Sequence, residues 1–258
     1  LVAIYGNYML IANCVRMLFN ALFQGVTAGV GNLVAEGNSE RIIEVFEELF
    51  SSRFLIITSF LYCFLTMSNS FMDLWLGEGY TLAMPTVWVI VGTMYIILSR
   101  TTVDAYIYAT GLFQDIWAPV VEATLNIGLS IFLGAFFGIT GVLSGVLISL
   151  FFVVLLWKPY FLFTQGLHQK VSIYWKGMTR YYIIFTVFCS IAIILNNKII
   201  DPEADTMPKL IGYGILIYPA LIAIYFLTLF VSTNGMKYFV ARKPKIYNMI
   251  KKTTFIKQ

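Results

Sequence analysis

Apolar positions in this chain gather in long blocks, with none of the strict apolar-polar alternation that marks a half-buried strand. Blocks of helix-spanning length fall at 3–30, 52–69, 84–109, 116–137, 139–157, 181–195 and 210–231. Roughly 20 apolar residues cover the hydrocarbon core of a bilayer, and a spanning helix satisfies its own backbone polar groups. The pattern predicts an all-α fold, a polytopic transmembrane helix bundle of about seven spans. A cytoplasmic tail over 232–258 is expected to follow.

The links between blocks predict orientation, because Lys and Arg collect on the cytoplasmic side. The link from 157 to 181 holds Lys158, Lys170, Lys176 and Arg180, whereas the link from 68 to 84 has no basic residue and carries Asp73 and Glu78. The first is predicted cytoplasmic and the second external. Counting back from a cytoplasmic C-terminus makes 196–209 external despite Lys198 and Lys209, and makes 32–53 cytoplasmic. In that last segment Glu36, Glu40, Arg41, Glu44, Glu47 and Glu48 are interleaved with Ile42, Ile43, Val45, Phe46 and Leu49. The mixture suits an amphipathic helix lying along the membrane surface and leading directly into the second span. Trp75 and Tyr80 outside, and Trp157, Tyr160, Tyr174 and Trp175 inside, are expected as interfacial anchors.

Glycines recur at i and i+4 in Gly25 with Gly29, Gly134 with Gly138, and Gly141 with Gly145, the spacing that lets helices approach closely. Gly138 to Gly141 also has to turn the chain between two spans, which predicts a helical hairpin.

Composition agrees. Apolar types make up 59% of 258 residues and charged types 12%, a balance that points to the bilayer as solvent. The net charge of +4 is no signal for nucleic acid, since seven of the 17 basic residues lie between Lys237 and Lys257, after the last apolar block. Cys14, Cys63 and Cys189 sit inside apolar blocks without paired spacing and are read as buried thiols. The chain opens at Leu1 in sequence that is already apolar, so no secretory signal is expected and the chain reads as a fragment.

Charges inside the blocks are the candidate chemistry, because each is costly unless it meets a partner or a polar cavity. Arg16 sits near the middle of the first block with Asn7, Asn13, Asn20 and Gln24 in the same helix. Asn13, Arg16, Asn20 and Gln24 are therefore candidates for a water-lined substrate cavity, where arginine offers a permanent fork of donors to phosphate or carboxylate. Arg100 and Asp104 are four apart and can form an ion pair or take part in coupling. Glu122, one turn before Asn126, is a further coupling candidate. His168 has no second ligand nearby and is read as a solvated loop histidine, so neither metal nor cofactor is expected. No phosphate-loop, nucleophile-elbow or zinc-protease motif occurs, and the sequence is read as non-enzymatic.

Three stretches carry a resemblance. Val2-Ala-Ile-Tyr-Gly-Asn-Tyr-Met-Leu-Ile11 with Gly29-Val-Gly-Asn-Leu-Val-Ala35 resembles a signature helix of the bacterial polysaccharide flippases, the exporters of lipid-linked O-antigen and capsule units. Phe71-Met-Asp-Leu-Trp-Leu-Gly77 is similar to that family's external turn, and 126–149, with Gly138-Ile-Thr-Gly-Val142, to its later hairpin. The resemblance implies the C-terminal lobe of a two-lobed flippase in the bacterial inner membrane, the N-terminal lobe lying outside this chain. It further implies alternating access around a cationic cavity that admits undecaprenyl-pyrophosphate-linked oligosaccharide, driven by ion antiport, with Arg16 on the cavity wall. Other polysaccharide assembly proteins would be partners. A multidrug or small-solute cation antiporter of the same superfamily, a membrane polysaccharide polymerase and a non-catalytic scaffold are the competing readings.

Overall fold

The structure, a computed structural model, describes residues 1–23, 25–77, 79–195 and 206–242. The described residues contain helices and connecting turns and no strand. We label α1 Val2–Phe23, α2 Val26–Ala35, α3 Ser39–Leu76 and α4 Met84–Ala109. The hairpin arms are α5 (117–137) and α6 (139–166), followed by α7 Val171–Leu195, α8 Met207–Ser232 and α9 Asn234–Ala241. Among the described residues, five helical stretches are long and apolar enough to cross a membrane: Val2–Phe23, Ser39–Leu76, Met84–Ala109, Trp117–Gly166 and Met207–Ser232. The chain is thus an all-helical membrane protein of bundle type.

Helix α3 is the axis. Asn38 caps its start by accepting the Arg41 backbone N–H at 3.1 Å, and Gly77 ends it at φ 92, a conformation glycine adopts without the Cβ penalty. At about 1.5 Å per residue its 38 residues reach about 57 Å, well beyond the hydrocarbon core. The helix runs unbroken from Ser39 to Leu76, which corrects the expectation of a separate surface helix over 36–49. Its apolar positions Ile42, Val45, Phe46 and Phe50 are buried in protein instead, with the Phe46 ring against Tyr106, Phe163 and Tyr174.

Hydroxyl contacts tie α3 to its neighbours at several levels, the kind of side-chain bonding that holds helices together where lipid offers no hydrophobic drive. Ser51 meets the Tyr181 hydroxyl and Thr66 meets the Tyr218 hydroxyl. Near the Gly77 end, the Tyr8 hydroxyl donates to Asn69 Oδ1 at 2.6 Å and accepts the Leu82 N–H at 3.1 Å. Between these levels lies an aromatic cluster in which Phe54 touches Tyr95, Tyr181 and Phe185 edge-on and Tyr95 stacks on Phe185 at 4.7 Å.

The expected hairpin is present. Gly138 takes φ 58, ψ −136, and the arms on either side run back along each other. A Cβ on Gly141 would lie 2.0 Å from the Leu133 carbonyl oxygen, and one on Gly145 2.4 Å from the Ser130 nitrogen. Ser130 Oγ also donates across the arms to the Val142 carbonyl at 2.9 Å. Ile127, Ile131, Phe132, Phe136 and Phe137 on α5 are exposed, a face suited to lipid.

Three expected boundaries change. The block 3–30 is two helices, α1 ending at Phe23 and α2 opening after Gly25, where glycine followed by β-branched Val26 and Thr27 weakens helix propensity. The second hairpin arm continues past Trp157 to Gly166, with π-helical turns at Phe151–Trp157 and Leu162–Gly166 on either side of Pro159, whose missing N–H breaks the regular ladder. Helix α7 starts at Val171, ahead of the expected 181, so the basic link shrinks to 167–170 and Lys158, Lys176 and Arg180 lie on helices. Part of the expected tail is also folded. Helix α9 docks on α3, with Gly235 against Glu47 and Ser51 and Arg242 Nε 3.1 Å from Glu48 Oε2.

Candidate functional site

Helix α1 buries a narrow stripe, Tyr8, Ala12 and Phe19, and leaves most of its remaining surface open. Asn13, Arg16 and Asn20 stand three and four residues apart, so they share one face of the helix. Asn13 and Arg16 line a cavity of about 100 Å³ between α1, α4 and α6, together with Tyr5, Met9, Thr93, Met94, Leu143 and Val146 among others. Its walls are otherwise almost wholly apolar, and Arg16 stays exposed on its α1 side. At about 30 Å³ per water, the space holds about three waters or one small polar group. Asn20 extends the polar face one turn further, outside the cavity, and Gln24 lies outside the described residues.

Arg100 and Asp104 do pair. Arg100 Nε stands 2.8 Å from Asp104 Oδ2, while Lys158 of α6 reaches Asp104 Oδ1 at 2.9 Å. Both carboxylate oxygens are occupied, and the cluster ties α4 to the hairpin at the end of the bundle that carries Tyr106. Nothing in the sequence around Lys158 marks it as part of this cluster, because its partner is 54 positions away on another helix. Glu122 is half-buried on α5 and lines neither the α1 cavity nor the cleft around Asp115 and Trp157. Its neighbour Asn126 has its side-chain amide 3.0 Å from the Ser130 hydroxyl, a contact internal to the hairpin arm.

A second arginine escaped the sequence reading altogether. By sequence Arg53 falls at the edge of a cytoplasmic link, yet it is 3% exposed at the junction of α1, α3 and α4. Its Nη1 points at the hydroxyls of Thr101 at 3.4 Å and Thr102 at 3.3 Å, both long for N–H to oxygen bonds. The Phe23 ring lies over the guanidinium, its centroid 5.0 Å from Cζ, at a distance where a cation–π attraction acts. Nε has no hydrogen-bond partner, and no carboxylate among the described residues pairs with the group. The signal available in sequence was a charge just inside the block 52–69, which usually marks a side chain reaching back to water.

Basic groups concentrate at one end of the bundle. Arg41, Lys158, Lys170, Lys176, Arg180, Lys237 and Arg242 lie there, whereas Asp73 and Lys209 are the charged residues described at the other. On the stretch 39–51, outside the apolar block, burial pushes the Glu47 carboxyl up from its usual range; Arg180 pulls it back and Glu44 adds to the rise. His168 is in the short α6–α7 link at φ 50, and no metal-holding group of His, Cys, Asp and Glu occurs among the described residues. Cys14, read as a buried thiol, is exposed on α1, while Cys63 and Cys189 are half-buried. No protein-family model matches the chain, and no curated protein or solved structure matches it.

Proposed function

We propose that this chain is the C-terminal lobe of a flippase that moves undecaprenyl-pyrophosphate-linked oligosaccharide across the bacterial inner membrane by alternating access. The observation that carries the reading is the polar face Asn13–Arg16–Asn20 on a membrane-length helix that is only lightly held by its own bundle. A permanent cation on a spanning helix needs an anion or a polar cavity, and arginine's fork matches phosphate oxygens. The cavity beside Arg16 admits a single small polar group, so the pathway for sugars runs along the open side of α1, where the other lobe would face it. Coupling to an ion antiported against the substrate drives the cycle.

The bundle is read as seven spans, with the hairpin arms counted separately and the apolar part of α7 included. The basic end, with α9, faces the cytoplasm, in line with the positive-inside preference. The Asp104 cluster is read as a brace between α4 and α6, leaving Arg16 as the substrate-facing charge. A cation antiporter would place a carboxylate against its substrate, and none lines the α1 cavity.

Deleting the gene in its host and measuring surface polysaccharide together with undecaprenyl-linked oligosaccharide retained on the cytoplasmic side tests this. Lost surface glycan with accumulated completed units is expected. Normal pools with raised sensitivity to cationic drugs would replace the flippase by the antiporter.

A further inference from the structure

Arg53 is a full guanidinium buried in an apolar bundle with one of its nitrogens held by two long hydroxyl contacts and another, Nε, held by nothing. A residue kept only to join α3 to α4 would be expected to use its whole fork, since buried charged donors left unpaired are costly. Thr101 and Thr102 fix Nη1 and leave the Nε side of the plane, the side that meets a phosphate or carboxylate with two parallel bonds. The guanidinium carbon stands over the ring of Phe23, 5.0 Å from its centroid, and Phe23, the last residue of α1, packs in turn on Phe19 at 4.7 Å. Thr101 and Thr102 stand one turn along α4 from Ile97 and Leu98, which line the Arg16 cavity, and Phe23 stands two turns along α1 from Arg16. Arg53 is therefore the next cation along the wall that Arg16 begins, separated from it by an aromatic cover.

We propose that Arg53 is a covered anion site, whose Nε edge takes a phosphoryl group when the Phe23 ring moves aside. The site itself follows from the geometry; that the phosphoryl group belongs to a polyprenyl diphosphate rests on the flippase reading.

The test is calorimetric titration of the full-length protein in nanodiscs with inorganic pyrophosphate, and separately with a polyprenyl diphosphate. Phe23→Ala uncovers the guanidinium and is expected to tighten pyrophosphate binding by about tenfold or more, the size of one charge-assisted hydrogen bond. Adding Arg53→Gln to Phe23→Ala should abolish that gain. Arg53→Lys in the same background keeps the charge without the fork and should retain only part of it, which keeps the test decisive if the glutamine variant does not fold. No gain on uncovering, or a gain that survives both Arg53 substitutions unchanged, overturns the site. Arg53-dependent pyrophosphate binding with no binding of the polyprenyl diphosphate keeps the site and removes the flippase reading. Polyprenyl diphosphate binding that needs Arg16 but is unchanged by Arg53→Gln keeps the flippase and removes the site.

Discussion

Lys158 places its Nζ 2.9 Å from Oδ1 of Asp104, whose other oxygen already holds Arg100 at 2.8 Å. One carboxylate thereby offsets two cations from two helices, and it fixes where α6 meets α4 at the short α-helical turn between its two π-helical stretches.

Asp104→Asn should release both cations and leave them facing each other. The expected loss is about 1–3 kcal/mol of stability, the cost of stranding charged donors in a partly buried site. Thermal unfolding in detergent reads it. Lys158→Met in the same background should restore part of the loss, and a double variant no better than the single would remove Lys158 from the brace.

The hairpin predicts a sharp division among glycines. Gly141→Leu and Gly145→Leu drive a side chain into the backbone of the opposite arm and should sharply lower the folded yield. Gly128→Ala meets open space on α5 and should leave yield unchanged or slightly raised, alanine being the better helix former. Equal yields for all three, measured by size-exclusion chromatography of a fluorescent fusion, would contradict the close approach.

Tyr8→Phe removes the hydroxyl that joins α1 to Asn69 and to the Leu82 N–H. Two lost partners correspond to about 1–3 kcal/mol, and the effect should concentrate in α1, whose hold on the bundle is slight. Hydrogen exchange is the readout: faster exchange confined to 2–23 and 80–84 is expected, and a uniform change across the bundle would show that Tyr8 supports the whole fold.

Helix α9 tests the docking of the described part of the tail. Gly235→Val would place atoms against the Glu47 carbonyl and Ser51 Oγ, so α9 should detach and unwind, and trypsin should cleave faster after the already exposed Lys237. Cleavage no faster than in the unaltered chain would contradict the contact.

The sequence carried those features that depend on near neighbours. Gly138 with its flanking glycines marked the hairpin because a turn and a close approach both demand that residue type. Arg100 and Asp104 paired because i,i+4 spacing sets them on one face. Features that depend on a distant partner were illegible. Lys158 reads as a loop cation until the hairpin brings it to Asp104, and Arg53 reads as a span edge until Phe23 and Thr102 close over it. Helix α3 misled for a related reason: its charged first turns look like a surface helix, while the faces that α4, α7 and α9 cover exist only in the assembled bundle. Of the four residues proposed for the cavity, the structure brings Asn13 and Arg16 to it and leaves Asn20 a turn away.

The most direct measurement of the central claim is complementation by Arg16→Ala in the full-length protein, scored as surface polysaccharide against undecaprenyl-linked oligosaccharide held inside. Normal membrane insertion, lost export and accumulated repeat units are expected, with Arg16→Lys restoring part of the export because it returns the charge without the fork. Export at the normal level by the alanine variant would remove Arg16 from the pathway and, with it, the observation on which the flippase reading rests.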